Sequence, residues 1–305
     1  MFLRIPVYVN VNYAAAQCTR RTALETVARW RNNLRGRTDM SAHPPNDDLV
    51  LRSDADGIAT LTLNRPNNFN TLSTPLMQAL QRHIQALKDD TSVRVVIITG
   101  AGKAFCAGHD LAEMQADPSE KAMRALFALC TENMMALTHL PQPVIAKVNG
   151  VAAAAGCQLV AQCDLAISTT DAKFGTSGIN VGLYCSTPSV PVTRNLSRKH
   201  AMELLMTGDL ISSDKAVTWG LINDAVPADQ LDAAVDAMAQ KIRSKSPNAI
   251  ALGKDLFYKQ LEEGMAAAYD RAGDAITCNM QAKETQAAID AFLEKRPTDD
   301  WPDRN

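Results

Sequence analysis

No apolar run in this 305-residue chain reaches the roughly 18 residues that a membrane-spanning helix requires. No C-x-x-C pair and no cysteine–histidine cluster occurs, so no zinc site is indicated. The cysteines (Cys18, Cys106, Cys130, Cys157, Cys163, Cys185 and Cys278) are odd in number and scattered. They read as reduced thiols that pack as small hydrophobes. A charge excess is also missing. The balance of 31 basic against 33 acidic side chains leaves −2, which gives no footprint for nucleic acid and no acidic tail. H-E-x-x-H and G-x-S-x-G are absent, as is G-x-x-x-x-G-K-[ST]. Gly100-Ala101-Gly102-Lys103 follows a strand-like run, but position 105 is Phe where a dinucleotide fingerprint needs glycine. The run is therefore a tight turn, not a phosphate loop. His43, His83, His139 and His200 are dispersed and read as surface or packing residues.

What is present begins with an unusual N-terminus. Residues 1–39 hold seven arginines against Glu25 and Asp39, with Leu24, Val27, Ala28 and Leu34 on one helical face. Such a segment resembles a mitochondrial transit peptide, except that no serine precedes Ser41. Met40-Ser41-Ala42-His43-Pro44 would serve equally as a natural start. Residues 1–48 are accordingly expected to be an extension, either disordered, targeting or upstream of the true start. Residues 49–245 are expected to form the core, and residues 246–305 a C-terminal helical region.

Alternation of β-branched and small residues predicts a strand over 57–64. Ser73-Thr74-Pro75 caps a helix that runs to Asp90 with Leu76, Leu80, Ile84 and Leu87 on one face. Residues 93–99 and 144–148 read as buried parallel strands. Helices are expected over 118–140 and 152–161, and a strand over 164–168. This alternation predicts an α/β fold with a mainly parallel sheet.

Two segments bear on chemistry. One is Lys103-Ala104-Phe105-Cys106-Ala107-Gly108-His109-Asp110-Leu111. The other is residues 146–159, with Asn149-Gly150, the alanine run 152–155 and Gly156-Cys157-Gln158. Both place small residues where a buried strand gives way to a loop or helix, so a ligand can approach the backbone closely. Two N–H groups converging there would form an oxyanion hole. Tight helix–strand packing would need the same small residues, and pattern alone leaves the two readings open.

These segments are similar to the F-x-A-G-x-D-[LI] and A-x-[VI]-N-G-x-A-x-G-G-G-x-E-L stretches of the crotonase (enoyl-CoA hydratase/isomerase) superfamily. Leu63-Asn64-Arg65-Pro66, Cys163-Asp164-Leu165, Ala172-Lys173-Phe174 and the Ala291–Arg296 sequence resemble further family motifs. The likeness runs over residues 50–298. Cys157-Gln158-Leu159 together with Asn180-Val181-Gly182-Leu183-Tyr184-Cys185 most resembles the enoyl-CoA hydratase domain-containing protein three group. The resemblance implies a ClpP/crotonase-like fold of repeated ββα units with a C-terminal helical trimerisation region, as a homotrimer or dimer of trimers. It implies an acyl-CoA lyase or isomerase of fatty acid metabolism. No cofactor is implied beyond the coenzyme A of the substrate. The backbone N–H groups of His109 and Ala155 would form the oxyanion hole. Phe69, Ala107, Asp110 and Leu111 would border the coenzyme. The location implied is the mitochondrial matrix in a eukaryote and the cytoplasm in a bacterium.

The sequence departs from the hydratase pattern at two positions. Members that hydrate enoyl-CoA carry two glutamates, and the matching positions here are Gln158 and Gly178. Hydration needs one group to take a proton and one to give it, and such acid–base work contributes about 10²–10⁴-fold in rate. An amide exchanges no proton near neutral pH. Weak or absent hydration is therefore expected. Decarboxylation of a malonyl-type CoA, which generates an enolate by loss of CO₂, remains open, as does acyl-CoA binding without catalysis. Gly108-His109-Asp110 and the 180–184 stretch resemble decarboxylase members. Tyr184, Cys185, the His109 side chain and Glu113 are the candidate proton donors.

Overall fold

The computed structural model describes residues 49–297 and 301–304. The expectations for the N-terminal extension lie outside the described residues. In chain order the strands are β1 (Val50–Ala55), β2 (Ile58–Leu63), β3 (Val95–Gly100), β4 (Ala104–Cys106), β5 (Val144–Val148), β6 (Val151–Ala153), β7 (Leu165–Thr169), β8 (Lys173–Gly175), β9 (Ile211–Ser212) and β10 (Asp224–Val226). The helices are α1 (Thr74–Lys88), α2 (Leu111–Ala116), α3 (Glu120–His139), α4 (Ala155–Gln162), α5 (Ser186–Asn195), α6 (Arg198–Thr207), α7 (Ser213–Trp219), α8 (Leu231–Arg243), α9 (Pro247–Gln260), α10 (Met265–Gln281) and α11 (Lys283–Leu293).

Two sheets form the core. The larger has the order β1-β2-β3-β5-β7-β10, and the smaller β4-β6-β8-β9. Only the β1–β2 and β8–β9 pairings are antiparallel; the others are parallel. The buried runs explain this. All six residues of β3 are buried, which suits a strand covered on both faces. Alternate residues divide between the faces. Val95, Ile97, Ile145 and Ile167 pack against Leu231, Val235 and Ala239 of α8. Val96, Ile98, Val144 and Ala146 join the main core with α1 and α3.

Helix ends follow local chemistry. The Ser73 hydroxyl accepts from Leu76 N–H and opens α1, and Ser119 does the same for α3 through Ala122 N–H. One expectation is corrected. The helix predicted over 152–161 starts only at Ala155, because Val151–Ala153 pairs in parallel with β4 and β8.

A buried polar knot fastens α9 to the sheet. Lys254 Nζ donates to the carbonyls of Leu137 and Gln142, both at 2.9 Å, and to Asp164 Oδ2 at 2.6 Å. Tyr258 donates to Asp164 Oδ1 at 2.7 Å, and Val144 N–H donates to Oδ2. Burial holds the Lys254 amine below the ordinary lysine range, with Asp164 pulling against it. By contrast α10 buries none of its residues, and α11 buries only Ala291.

Candidate active site

β4, β6 and β8 are adjacent and parallel. Their C-terminal ends therefore discharge three loops on one side of the small sheet, the position where parallel sheets bind ligands. The loops are residues 107–110, Ala154 at the entry to α4, and residues 176–185 before α5. They surround a cavity of about 500 Å³.

The first loop is braced against the segment before α1. Ala107 N–H donates to Phe69 O (3.0 Å), Leu72 N–H to Gly108 O (2.7 Å), and Asp110 N–H to Leu72 O (3.4 Å). In this parallel bridge between Leu72 and His109, the His109 N–H faces away from Leu72. At the second loop, Ala154 N–H donates to Gly175 O at 2.8 Å. Ala154 then adopts φ 47°, ψ −116°, a region that glycine favours, and the chain turns into α4 with Ala155 as its first residue. Among the described residues, neither His109 N–H nor Ala155 N–H donates to another backbone carbonyl. Gly108, at φ +105°, lies between them: a Cβ there would sit 2.9 Å from Ala154 Cβ and 3.3 Å from Ala155 N. Glycine is thus what lets the two loops close up, and His109 and Ala155 both border the cavity.

The remaining predicted residues divide. Ala107, Leu111, Gly178, Tyr184 and Cys185 line the cavity. Phe69 stands outside it, 57% exposed. The Asp110 carboxylate is taken up by the N–H groups of Ala112 and Glu113 and by Arg65 Nη2 at 3.0 Å. Burial raises its pKa, but Arg65 and the two N–H groups outweigh this and hold it below the usual carboxylate range. Glu113 turns from the cavity: its carboxylate accepts Thr74 N–H at 2.9 Å, capping α1. Gln158 is 3% exposed, does not line the cavity, and leaves Oε1 without a partner.

His109 is fixed edge-on against Phe127 of α3, with centroids 5.3 Å apart. Its Nε2 is buried without a partner. Burial pushes its pKa down to about 4, against a small opposing pull from Glu113, so the ring is neutral at pH 7. Burial pushes the Cys185 thiol up, partly countered by Gly178 N–H. The space beside Gly178 is occupied. A Cβ there would lie 2.6 Å from Leu183 O and 2.9 Å from Cys185 Sγ.

Sequence reasoning missed Phe127 and Met114, which supply apolar wall, and Ser177, Ser186 and Thr187, which supply hydroxyls. No signal marked them, because each lies beside a core or cap position without sharing its periodicity. Among the described residues, no carboxylate lines the cavity, and no group of acids, histidines and cysteines could hold a metal ion.

Residues 53–304 match the family model described as enoyl-CoA hydratase/isomerase. The chain belongs to that family. Within it, the enoyl-CoA hydratase domain-containing protein 3, mitochondrial, of Xenopus laevis is 39% identical over 256 residues, covering 84% of this chain and 87% of the relative. The protein of that name from Homo sapiens is 41% identical over 241 residues, covering 79% and 80%. A solved enoyl-CoA hydratase of Mycobacterium smegmatis superposes with a TM-score of 0.81 at 50% identity, covering 82% of this chain and 98% of that one. The family's crotonase fold, with its C-terminal helices, is the fold described above, and the chain falls with the domain-containing protein 3 group.

Proposed function

We propose that this enoyl-CoA hydratase/isomerase family member binds an acyl-CoA thioester in the cavity and stabilises its enolate. The observation that carries this reading is the pair of uncommitted N–H groups of His109 and Ala155, brought together at the cavity edge by Gly108. Backbone donors aimed at one oxygen stabilise charge without reorganising, and loss of one such donor costs about 10²–10³-fold in rate. Leu111 and Ala107 in the wall, with Phe69 and the Asp110 turn alongside, border the path of the coenzyme. No cofactor is needed beyond the coenzyme A of the substrate.

Gln158 and Gly178 stand where the two hydratase glutamates would be, and among the described residues no carboxylate lines the wall. Ordinary hydration of a simple enoyl-CoA is therefore weak or absent. A second reading, decarboxylation of a malonyl-type CoA, is favoured by that same wall. Its neutral surface, with the hydroxyls of Ser177, Ser186 and Thr187 near the start of α5, does not repel a second carboxylate and presents a helix N-terminus to it.

The exposed Met265 and Tyr269, one turn apart on α10, and Phe292 on α11 (79%, 74% and 81%) are suited to contact with further copies of the chain, as a trimer or dimer of trimers. A matrix location is proposed for a eukaryotic source and the cytoplasm for a bacterial one.

The test is incubation of the full chain in D₂O with enoyl-, malonyl- and methylmalonyl-CoA, followed by mass spectrometry. Deuterium at the α-carbon supports the enolate site, and loss of CO₂ supports the second reading. Gain of water at an ordinary hydratase rate overturns the inference about the glutamates. Binding without any change leaves a pocket for binding alone.

A further inference from the structure

The place where a hydratase glutamate would emerge is filled by a thiol. Gly178 has no side chain, and the position its Cβ would take is 2.9 Å from Cys185 Sγ. Cys185 is 7% exposed and forms part of the cavity wall. Its sulfur therefore stands at the root of the missing side chain, on a residue that borders the reaction space from the next segment of chain. Resting on the enolate reading above, we infer that Cys185 is the group that protonates the α-carbon of the bound thioester enolate.

The other proton-bearing groups of the wall fit this role less well. His109 Nε2 is buried without a partner, but its ring is held edge-on against Phe127. Tyr184 is 42% exposed and stands at the mouth. Ser186 Oγ already donates to Tyr184 O at 3.2 Å. Aliphatic hydroxyls also give up a proton far less readily than a thiol. The Cys185 S–H donates to no partner recorded among the described residues, and burial keeps the thiol protonated at neutral pH. That state suits an acid rather than a nucleophile.

The step balances without a co-reactant. The electron pair of the enolate C=C bond takes the proton, forming the α C–H bond as the S–H bond breaks and the thioester carbonyl re-forms. The thiolate left behind is reprotonated by water from the cavity mouth. In the reverse direction the same thiolate removes an α-proton, so exchange with solvent reads both directions.

The experiment uses the full chain and butyryl-CoA, which has an α-proton but no double bond to hydrate. Wild-type protein is expected to place deuterium at the α-carbon in D₂O, faster as pH rises toward the thiol's ionisation. Cys185→Ala and Cys185→Ser should lower this rate by about 100-fold, abolish the pH-dependent limb and leave butyryl-CoA binding intact. Against misfolding of either variant, wild-type protein is treated with a small methanethiosulfonate. Butyryl-CoA should shield Cys185 from labelling, and loss of exchange should track Cys185 modification. Exchange at the wild-type rate in folded Cys185 variants, or after complete Cys185 labelling, overturns the assignment alone. Wild-type protein that binds no butyryl-CoA, or binds it and exchanges nothing, overturns the enolate reading and the assignment with it.

Discussion

Adding one methyl group at Gly178 probes whether the glutamate's place has been closed. The new Cβ would stand 2.6 Å from Leu183 O and 2.9 Å from Cys185 Sγ. Both are well inside the ~3.5–4.0 Å optimum of non-bonded contact. One neighbour is backbone, held by the Leu183 N–H to Gly178 O hydrogen bond at 3.0 Å, so it cannot swing aside as a side-chain tip would. Overpacking of this kind costs about 1–3 kcal/mol. Gly178→Ala should therefore lower the melting temperature by about 2–4 °C per kcal/mol. Cys185→Ala removes the sulfur contact but not the carbonyl contact. In that background the cost of Gly178→Ala should fall without vanishing, giving a coupling of about 0.5–2 kcal/mol in the double-mutant cycle. The assay is urea unfolding of the four proteins at one protein concentration. If Gly178→Ala stays within about 0.5 kcal/mol of wild type and shows no coupling to position 185, the space is not closed. The reading that backbone and thiol fill the place beside Gly178 would then fail.

Lys254→Met should cost up to about 3 kcal/mol in denaturant unfolding, because Asp164 would be left charged and half-buried beside Tyr258. Ala154→Gly should stabilise by about 1 kcal/mol, since it relieves the positive φ of 47°; an unchanged midpoint would contradict this. Gly108→Ala should destabilise the protein and sharply weaken acyl-CoA binding by calorimetry, because it drives the 107–110 loop off Ala154. His109 supplies a pH test. Its folded pKa of about 4 lies below the ordinary 6.5, so the unfolded chain binds the proton first. Its contribution is complete above about pH 6.5 and is lost as pH falls toward about 4, by at most about 3 kcal/mol. His109→Gln should flatten that part of the stability–pH curve.

The sequence carried the long periodic elements well. The apolar stripe of α1, the β-branched runs of β3 and β5, and the serine caps all express one local rule each. The short strands β4, β6, β8 and β9 were harder. At two or three residues they have no period, and the alanines of β6 suit a helix as well as a strand. Their pairing is decided by partners distant in sequence. The candidate site was legible where motifs fixed backbone, as at Gly108 and Ala155. It was not legible where a side chain's direction mattered. Glu113 and Asp110 sit beside the cavity in sequence, yet both carboxylates serve helix N-termini. Conversely, nothing in the spelling of residues 177–188 shows that the Cys185 sulfur fills the room beside Gly178.

The two titration shifts in the cavity run in opposite directions. Burial lowers His109 and raises Cys185, so the interval over which both are neutral is wider than for the free side chains. With no carboxylate, amine or guanidinium among the described residues of the wall, these two groups leave the chamber's charge constant across the mildly acidic to mildly alkaline range. A change in ligand affinity within that range would then report ionisation of the ligand rather than of its container.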